Sequence, residues 1–281
     1  MTHPTSYPDF GPYGVWKFGG FSPEEAAGIE ALGFGAVWIA GSPAADLTWV
    51  EPLLASTTTL HVVSAVVDIW TGEPEMVAES FHRVEEAHPG RFLLGIGAGH
   101  PERHQQWKKP IAALVDYLDR LDACGVPKDR RILAALGPKA LTLAAERTVG
   151  AHPGLTTPQH TSQARTLMGP AAFLAPEQKV VLSTDVEEAR RLGRGSIAQY
   201  LNLENGVGHL KRLGFGDDDV AVPGSDRLVD AVVAYGSADV IATKLNEHVK
   251  AGANHVPLQV VDRPERLLPV LTELAGALGV R

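Results

Sequence analysis

The chain has 281 residues with 33 acidic and 25 basic side chains, a formal charge of −8, 44% hydrophobic residues and one cysteine. An acidic balance of that size argues against nucleic acid or an anionic membrane surface as the main partner. The lone Cys124 excludes a disulfide framework and a multi-cysteine metal site, which fits a reducing, cytoplasmic setting.

Met1 opens a Pro- and aromatic-rich stretch with no basic and apolar regions of a signal peptide, and no run approaches the roughly 20 apolar residues of a membrane span. Apolar or β-branched runs predict strands over 13–18, 36–40, 61–67, 92–97, 132–136, 150–153, 179–183 and 254–261. Helical segments with recognisable starts lie between them. Ser22-Pro23-Glu24-Glu25 supplies an N-cap, a first-turn proline and two carboxylates facing the helix dipole, and Gly33 stops that helix. Glu73-Pro74-Glu75 opens another that His88-Pro89-Gly90 closes, Thr184-Asp185 caps a third, and Pro264-Glu265 begins the last. The segment 199–222, with Asn202, Asn205, Gly206, Gly208 and the run Asp217-Asp218-Asp219, is predicted to hold no long helix.

Strands such as Val62-Val63-Ser64-Ala65-Val66-Val67 are apolar or small throughout, as a parallel sheet covered on both faces requires. Eight βα units over 281 residues have the economy of a single (β/α)8 TIM barrel spanning 1–281; an open doubly wound sheet is the competing architecture. In a barrel the chemistry sits just after each strand, which singles out 17–20, 41–43, 68–71, 97–100, 137–139, 153–157 and 183–185. Most of these loops begin with glycine or another small residue, allowing close backbone approach to a flat or phosphorylated ligand.

Leu136-Gly137-Pro138-Lys139 is the best local anion signal: a strand ends, glycine turns, and a new helix offers its open N–H groups. The plainer reading is an ordinary connection with a surface lysine. Gly95-Ile96-Gly97-Ala98-Gly99 lacks the spacing of a dinucleotide fingerprint but suits a glycine-lined rim beside His100. His100 and His104 stand four apart without the Glu of a zinc-protease motif or a third ligand, so no metal is expected. Ser42 and Ser183 lack a nucleophile-elbow context, and Trp70 follows the third strand directly at the mouth.

These residues resemble the luciferase-like flavin and deazaflavin oxidoreductases, specifically their actinobacterial F420-dependent branch. The resemblance rests on Ser64-Ala65-Val66-Val67-Asp68-Ile69-Trp70, on Pro89-Gly90-Arg91-Phe92-Leu93-Leu94-Gly95-Ile96-Gly97 leading to Gly99-His100, and on Gly137-Pro138-Lys139-Ala140-Leu141. It continues through Gly150-Ala151-His152-Pro153, Ala175-Pro176-Glu177-Gln178-Lys179-Val180-Val181, Gly224-Ser225-Asp226-Arg227-Leu228-Val229-Asp230 and Ala251-Gly252-Ala253-Asn254-His255-Val256, nearly the whole chain.

The resemblance implies a luciferase-like TIM barrel, homodimeric, that holds coenzyme F420, or FMN in the alternative, and moves a hydride to or from a small organic substrate. It implies a cis peptide at Ala65–Val66 beneath the ring, with Ser64, Gly97, Ala98, Gly99 and His100 along the coenzyme and Leu136, Gly137 and Pro138 at its phosphate. His100 is the expected proton donor or charge stabiliser, with Ser42, Asp68 and Trp70 as substrate contacts. Lys139, Arg103, Lys108 and Lys109 are expected to form a local cationic patch for the anionic coenzyme. Three departures stand out: Ala40-Gly41-Ser42-Pro43 lacks the His common after the second strand, His100 replaces a Glu, and no substrate-phosphate basic residues are recognisable. The rivals to the oxidoreductase are an FMN-dependent monooxygenase and a non-catalytic coenzyme carrier. The chain is also short for this family, which implies a more open mouth.

Overall fold

A computed structural model describes residues 9–100, 102 and 109–280. Strands and helices alternate: β1 (Tyr13–Phe18), α1 (Pro23–Ala31), β2 (Ala36–Ala40), α2 (Val50–Ala55), β3 (His61–Ala65), β4 (Val67–Asp68), α3 (Pro74–Ala87) and β5 (Phe92–Gly97). The next units are α4 (Pro110–Ala123), β6 (Arg131–Leu133), α5 (Pro138–Arg147), β7 (Gly150–Ala151), α6 (Pro158–Met168), β8 (Phe173–Leu174) and β9 (Gln178–Val181). Then come α7 (Val186–Ile197), α8 (Glu204–Arg212), α9 (Asp217–Val220), α10 (Asp226–Val232), β10 (Val233–Tyr235), α11 (Ala238–Lys250), β11 (Val256–Val260) and α12 (Leu267–Leu278).

The strands pair in parallel in the order β10-β9-β11-β1-β2-β3-β5-β6-β7-β8, with β4 also on β5. This path returns on itself, because β8 and β9 belong to one extended run. On one side Phe173 N–H donates to Val149 O at 2.8 Å and Glu177 N–H to Pro153 O at 2.8 Å. On the other, Asn254 N–H donates to Leu174 O at 2.9 Å, and Leu258 pairs with Gln178. The sheet is therefore a TIM barrel, and the open doubly wound alternative is set aside.

The side chains inside explain the closure. Phe10, Trp16, Trp38, Val63, Leu93, Ile132 and Phe173 form one buried cluster. Phe10 plugs the end from which the strands start, with its ring centroid 5.5 Å from Phe173 and 4.7 Å from His61. A larger cluster between sheet and helices holds Val37, Leu94, Leu118 and Leu271. Small residues admit neighbouring backbone where the barrel is tightest: a Cβ at Gly95 would collide with the Ser64 carbonyl, and one at Gly150 with the Phe173 carbonyl.

Helix starts follow the sequence. Ser22 and Glu25 form a complete capping box on α1, and Asp185 accepts from Glu187 N–H and Glu188 N–H at the start of α7. The expected strands differ from the observed ones mainly as follows, besides shorter ends at 150–153, 179–183 and 254–261. The run 61–67 is broken at Val66, the run 132–136 stops at Leu133, and β8 and β10 are short strands that pattern alone does not announce. Both are only a few residues long and owe their extension to barrel neighbours. The region 199–222 carries α8 and α9, short helices as its glycines and asparagines require.

Glu30 at the end of α1 ties down the entry to β3. Its Oε1 accepts N–H groups of Thr58, Thr59 and Leu60 at 2.8, 2.6 and 2.9 Å. Burial alone would raise this carboxyl, but the backbone donors outweigh it and hold it at about 2. A carboxyl depressed on folding stabilises above its unfolded value and loses that contribution as the pH falls through its folded one. Glu30→Gln is expected to cost about 2 kcal/mol at pH 7 by urea unfolding. The deficit should shrink between pH 4.5 and 2.

Candidate active site

The ends of the strands make a floor of small residues. Ala40 ends β2 and Gly41 follows it, Ala65 ends β3 and Val66 follows it, Gly97 ends β5 with Ala98 and Gly99 after it, and Ala134 follows β6. The Ala65–Val66 peptide is cis, at the position the resemblance implies. Val66 is half-buried and lies across this floor: a Cβ built at Gly97 would stand 2.5 Å from Val66 Cγ2 and 3.3 Å from Ala134 Cβ. The result is a low apolar shelf.

Several expected site residues are committed to the framework. Ser64 is buried, with Oγ donating to Gly95 O at 3.0 Å and accepting Gly95 N–H at 2.8 Å, so it fastens β3 to β5. Asp68 is 6% exposed, and its Oδ1 accepts Trp70 N–H at 2.9 Å within a turn. Trp70 Nε1–H donates to Ala98 O at 2.6 Å, which fixes the indole against the loop after β5. Ser42 is exposed and left-handed, with φ 54°. Gly137 caps α5, Pro138 is its first residue, and Leu136 O accepts His160 Nε2–H at 2.9 Å. Lys139 is exposed on α5 and Lys109 caps α4, whereas Arg103, His104 and Lys108 lie outside the described residues.

His100 is half-buried, and its Nδ1 lies 2.6 Å from Asn205 Oδ1. The Asn205 amide is oriented by its Nδ2–H donating to Gly99 O at 3.3 Å, so Oδ1 accepts and His100 Nδ1 carries the hydrogen. A neutral His100 then offers Nε2 as a proton acceptor. Asn205 belongs to α8, whose Glu204 N–H also meets Glu102 Oε1 at 2.7 Å.

Sequence reasoning missed the far wall. Lys179 points inward from β9, with Nζ 3.0 and 3.2 Å from the Glu177 carboxylate oxygens, and their side chains are 1% and 3% exposed. The same ammonium lies 5.7 Å from the Trp16 ring and 5.2 Å from the Tyr200 ring. Trp16 Nε1 is buried with no hydrogen-bond partner among the described residues, and so is Gln259 Oε1. The signal was available: two charges at i and i+2 in a strand share one face, and in a barrel strand that face is the interior. Tyr200 reaches β9 while Asn205 reaches the loop after β5, so the 198–205 stretch crosses the mouth. The bridge is short and lies between β9 and the loop after β5.

The shelf and the wall suit a flat ring with a polar edge. Val66, Ala65 and Ala98 would lie under its face, and Trp16 Nε1–H is an unused donor at the interior wall. Among the described residues there is no group of three or more side chains suited to a metal ion, and no helix is long and apolar enough to cross a membrane.

Solved structures share this architecture. An F420-dependent secondary alcohol dehydrogenase bound to an F420-acetone adduct superposes with a TM-score of 0.74 at 15% identity, covering 95% of this chain and 98% of that one. The coenzyme F420-dependent tetrahydromethanopterin reductase of Methanopyrus kandleri gives 0.68 at 13%, covering 95% and 99%. The oxygenating constituent of 3,6-diketocamphane monooxygenase from Pseudomonas putida, in complex with FMN, gives 0.70 at 15%, covering 95% and 97%. None of the curated proteins matches the chain. The sequence model of the luciferase-like monooxygenase family matches residues 22–255, from the cap of α1 to the start of β11, and the chain belongs to that family.

Proposed function

We propose that the protein is an F420-dependent oxidoreductase that moves a hydride between the deazaflavin and a small organic substrate, working as a homodimer. The observation that carries this reading is the shelf of Val66 over Gly97 and Ala134, facing a loop whose histidine has a fixed tautomer. The F420-dependent neighbours and the blocks quoted from the sequence support F420, and the FMN-bound neighbour supports FMN as the alternative. When bound, the deazaflavin supplies the hydride donor or acceptor. The chain supports its ring on Ala65, Val66 and Ala98, excludes water with the 198–205 bridge, and holds a proton acceptor at His100 Nε2. In the oxidative direction His100 takes the substrate's hydroxyl proton; in reduction it returns that proton.

Fluorescence titration should give saturable binding of F420, with FMN at least tenfold weaker. Preferential binding of FMN, with oxygen consumption when reduced flavin is supplied, would establish the monooxygenase instead. His100→Ala should lower turnover roughly 10²–10⁴-fold, the range of general acid–base catalysis, without changing coenzyme affinity. Asn205→Ala should cause a smaller loss, since it frees the ring without removing it. F420 binding with no turnover across alcohols, aldehydes and ketones would favour the carrier. Light scattering of the purified chain tests the dimer.

A further inference from the structure

Neighbouring strands β9, β11, β1 and β2 carry one row of inward-facing side chains: Lys179 pairs with Gln259, and Trp16 with Trp38. The two pairs join where Val15 pairs with Leu258, which places Trp16 and Gln259 side by side as the next residue on each strand. Alternation fixes their direction. Val15, Val256 and Leu258 pack outward against the helices, so Trp16 and Gln259 point into the barrel. Trp38 Nε1–H is already spent on His255 Nε2. Trp16 is 6% exposed, and its Nε1 is buried with no hydrogen-bond partner among the described residues, as is Gln259 Oε1. Buried polar atoms are rarely left so, and a donor beside an acceptor on adjacent strands points to a ligand that satisfies both.

The two atoms decide what that ligand carries. A carboxylate or phosphate would accept from Trp16 Nε1–H but set its charge against the Gln259 carbonyl oxygen. An ammonium would bond Gln259 and leave the indole unpaired. A hydroxyl does both, accepting at its oxygen and donating its hydrogen, and it is buried at far less desolvation cost than an ion. The wall adds no net charge to alter this choice, because Lys179 beside Gln259 is matched by Glu177 at 3.0 Å. Phe18, at the end of β1, is 39% exposed, and its ring meets the Trp16 ring edge to face at 4.7 Å. That side chain is the one to turn aside as a ligand enters.

We propose that Trp16 Nε1–H and Gln259 Oε1 read a second, non-reacting hydroxyl of the substrate, so that the protein prefers small hydroxyl-ended alcohols, and the matching hydroxy-carbonyl compounds, over monofunctional ones. The reacting oxygen then lies at His100 Nε2 on the loop after β5, across the mouth from β1 and β11, and the second hydroxyl anchors the far end. This substrate class rests on the oxidoreductase reading above; the hydroxyl subsite itself does not. Trp16 and Gln259 act here as specificity determinants, and no proton passes through them.

The test uses the full isotope-labelled chain and secondary alcohols of one chain length that end in a hydroxyl, a methyl or a carboxylate. The Trp16 indole N–H resonance, identified by its loss in Trp16→Phe, is expected to move saturably with the hydroxyl-ended alcohol and to stay in place with the other two. Gln259→Leu should weaken that binding about tenfold, the worth of one buried hydrogen bond. With F420 supplied, KM for the hydroxyl-ended alcohol should lie about tenfold below that for the methyl-ended one, and Trp16→Phe, which keeps an aromatic ring in place, should erase the difference. A moved resonance without F420-dependent turnover upholds the subsite and overturns its use in alcohol oxidation. A resonance unmoved by the hydroxyl-ended alcohol, or moved equally by the carboxylate-ended one, overturns the subsite, and so does turnover that ignores the end group.

Discussion

Unfolding free energy is expected to fall steeply as the pH drops from 7 toward 4, before most carboxylates titrate. Burial, the largest cause in each case, holds His61, His152, His248 and His255 at about 4 and His209 at about 3 in the folded chain. An unfolded imidazole titrates near 6.5, so between these values unfolding takes up a proton at each site. A neutral imidazole depressed on folding stabilises fully above the unfolded value and is lost as the pH falls toward the folded one. Each adds a slope of about 1.4 kcal/mol per pH unit, and a domain has only about 5–15 kcal/mol to lose. The hydrogen bonds give the reason for neutrality. Trp38 Nε1–H donates to His255 Nε2 at 3.1 Å, which needs the lone pair there, and His255 Nδ1–H donates to Gly11 O at 2.7 Å. His152 Nδ1–H donates to Ala175 O at 2.7 Å, while its ring lies 4.5 Å from that of Trp38. Urea unfolding at pH 7, 6 and 5 measures the slope. A combined slope below about 1.4 kcal/mol per pH unit, one proton's worth, would contradict this account.

Glu177→Gln is expected to be the most damaging single conservative change, costing about 3–5 kcal/mol as for a buried ion pair stripped of one partner. Desolvation by itself would depress the Lys179 ammonium, but the Glu177 charge overrides it and holds Lys179 above its ordinary range. Glu177 Oε2 also accepts Leu155 N–H at 3.3 Å. Without the carboxylate, a charged lysine would be left between the rings of Trp16 and Tyr200. The double variant Glu177→Leu/Lys179→Met should recover most of the loss, since well-packed apolar replacements remove both desolvation costs together. Denaturation of both single variants and the double gives the coupling energy; a value near zero would mean that the pair is not a unit.

Glu177 and Lys179 also show how far the sequence reaches. Their block was recognisable and the predicted strand 179–183 begins at Lys179, with Glu177 just before it, but a period of two says only that they share a face. That the face is the barrel interior, under Trp16 and Tyr200, depends on closure through β8, a strand too short to carry a pattern. His100 was legible as a loop residue after β5, yet its tautomer is set by Asn205, 105 residues away in a segment that shows no pattern of its own. The resemblance put Ser64 along the coenzyme, and Asp68 was expected at the mouth as the residue after the third strand. Ser64 Oγ bonds Gly95 across the sheet, and Asp68 Oδ1 accepts the Trp70 N–H within its own turn.

By itself the sequence determined the alternation of strand and helix, the capped helix starts, the glycine-rich rim and the family blocks, because each depends on residues a few positions apart. The tertiary structure alone decided that the sheet closes, that Lys179 is paired inside it and that 198–205 crosses the mouth. Those outcomes rest on contacts between distant segments, whose geometry no local pattern records.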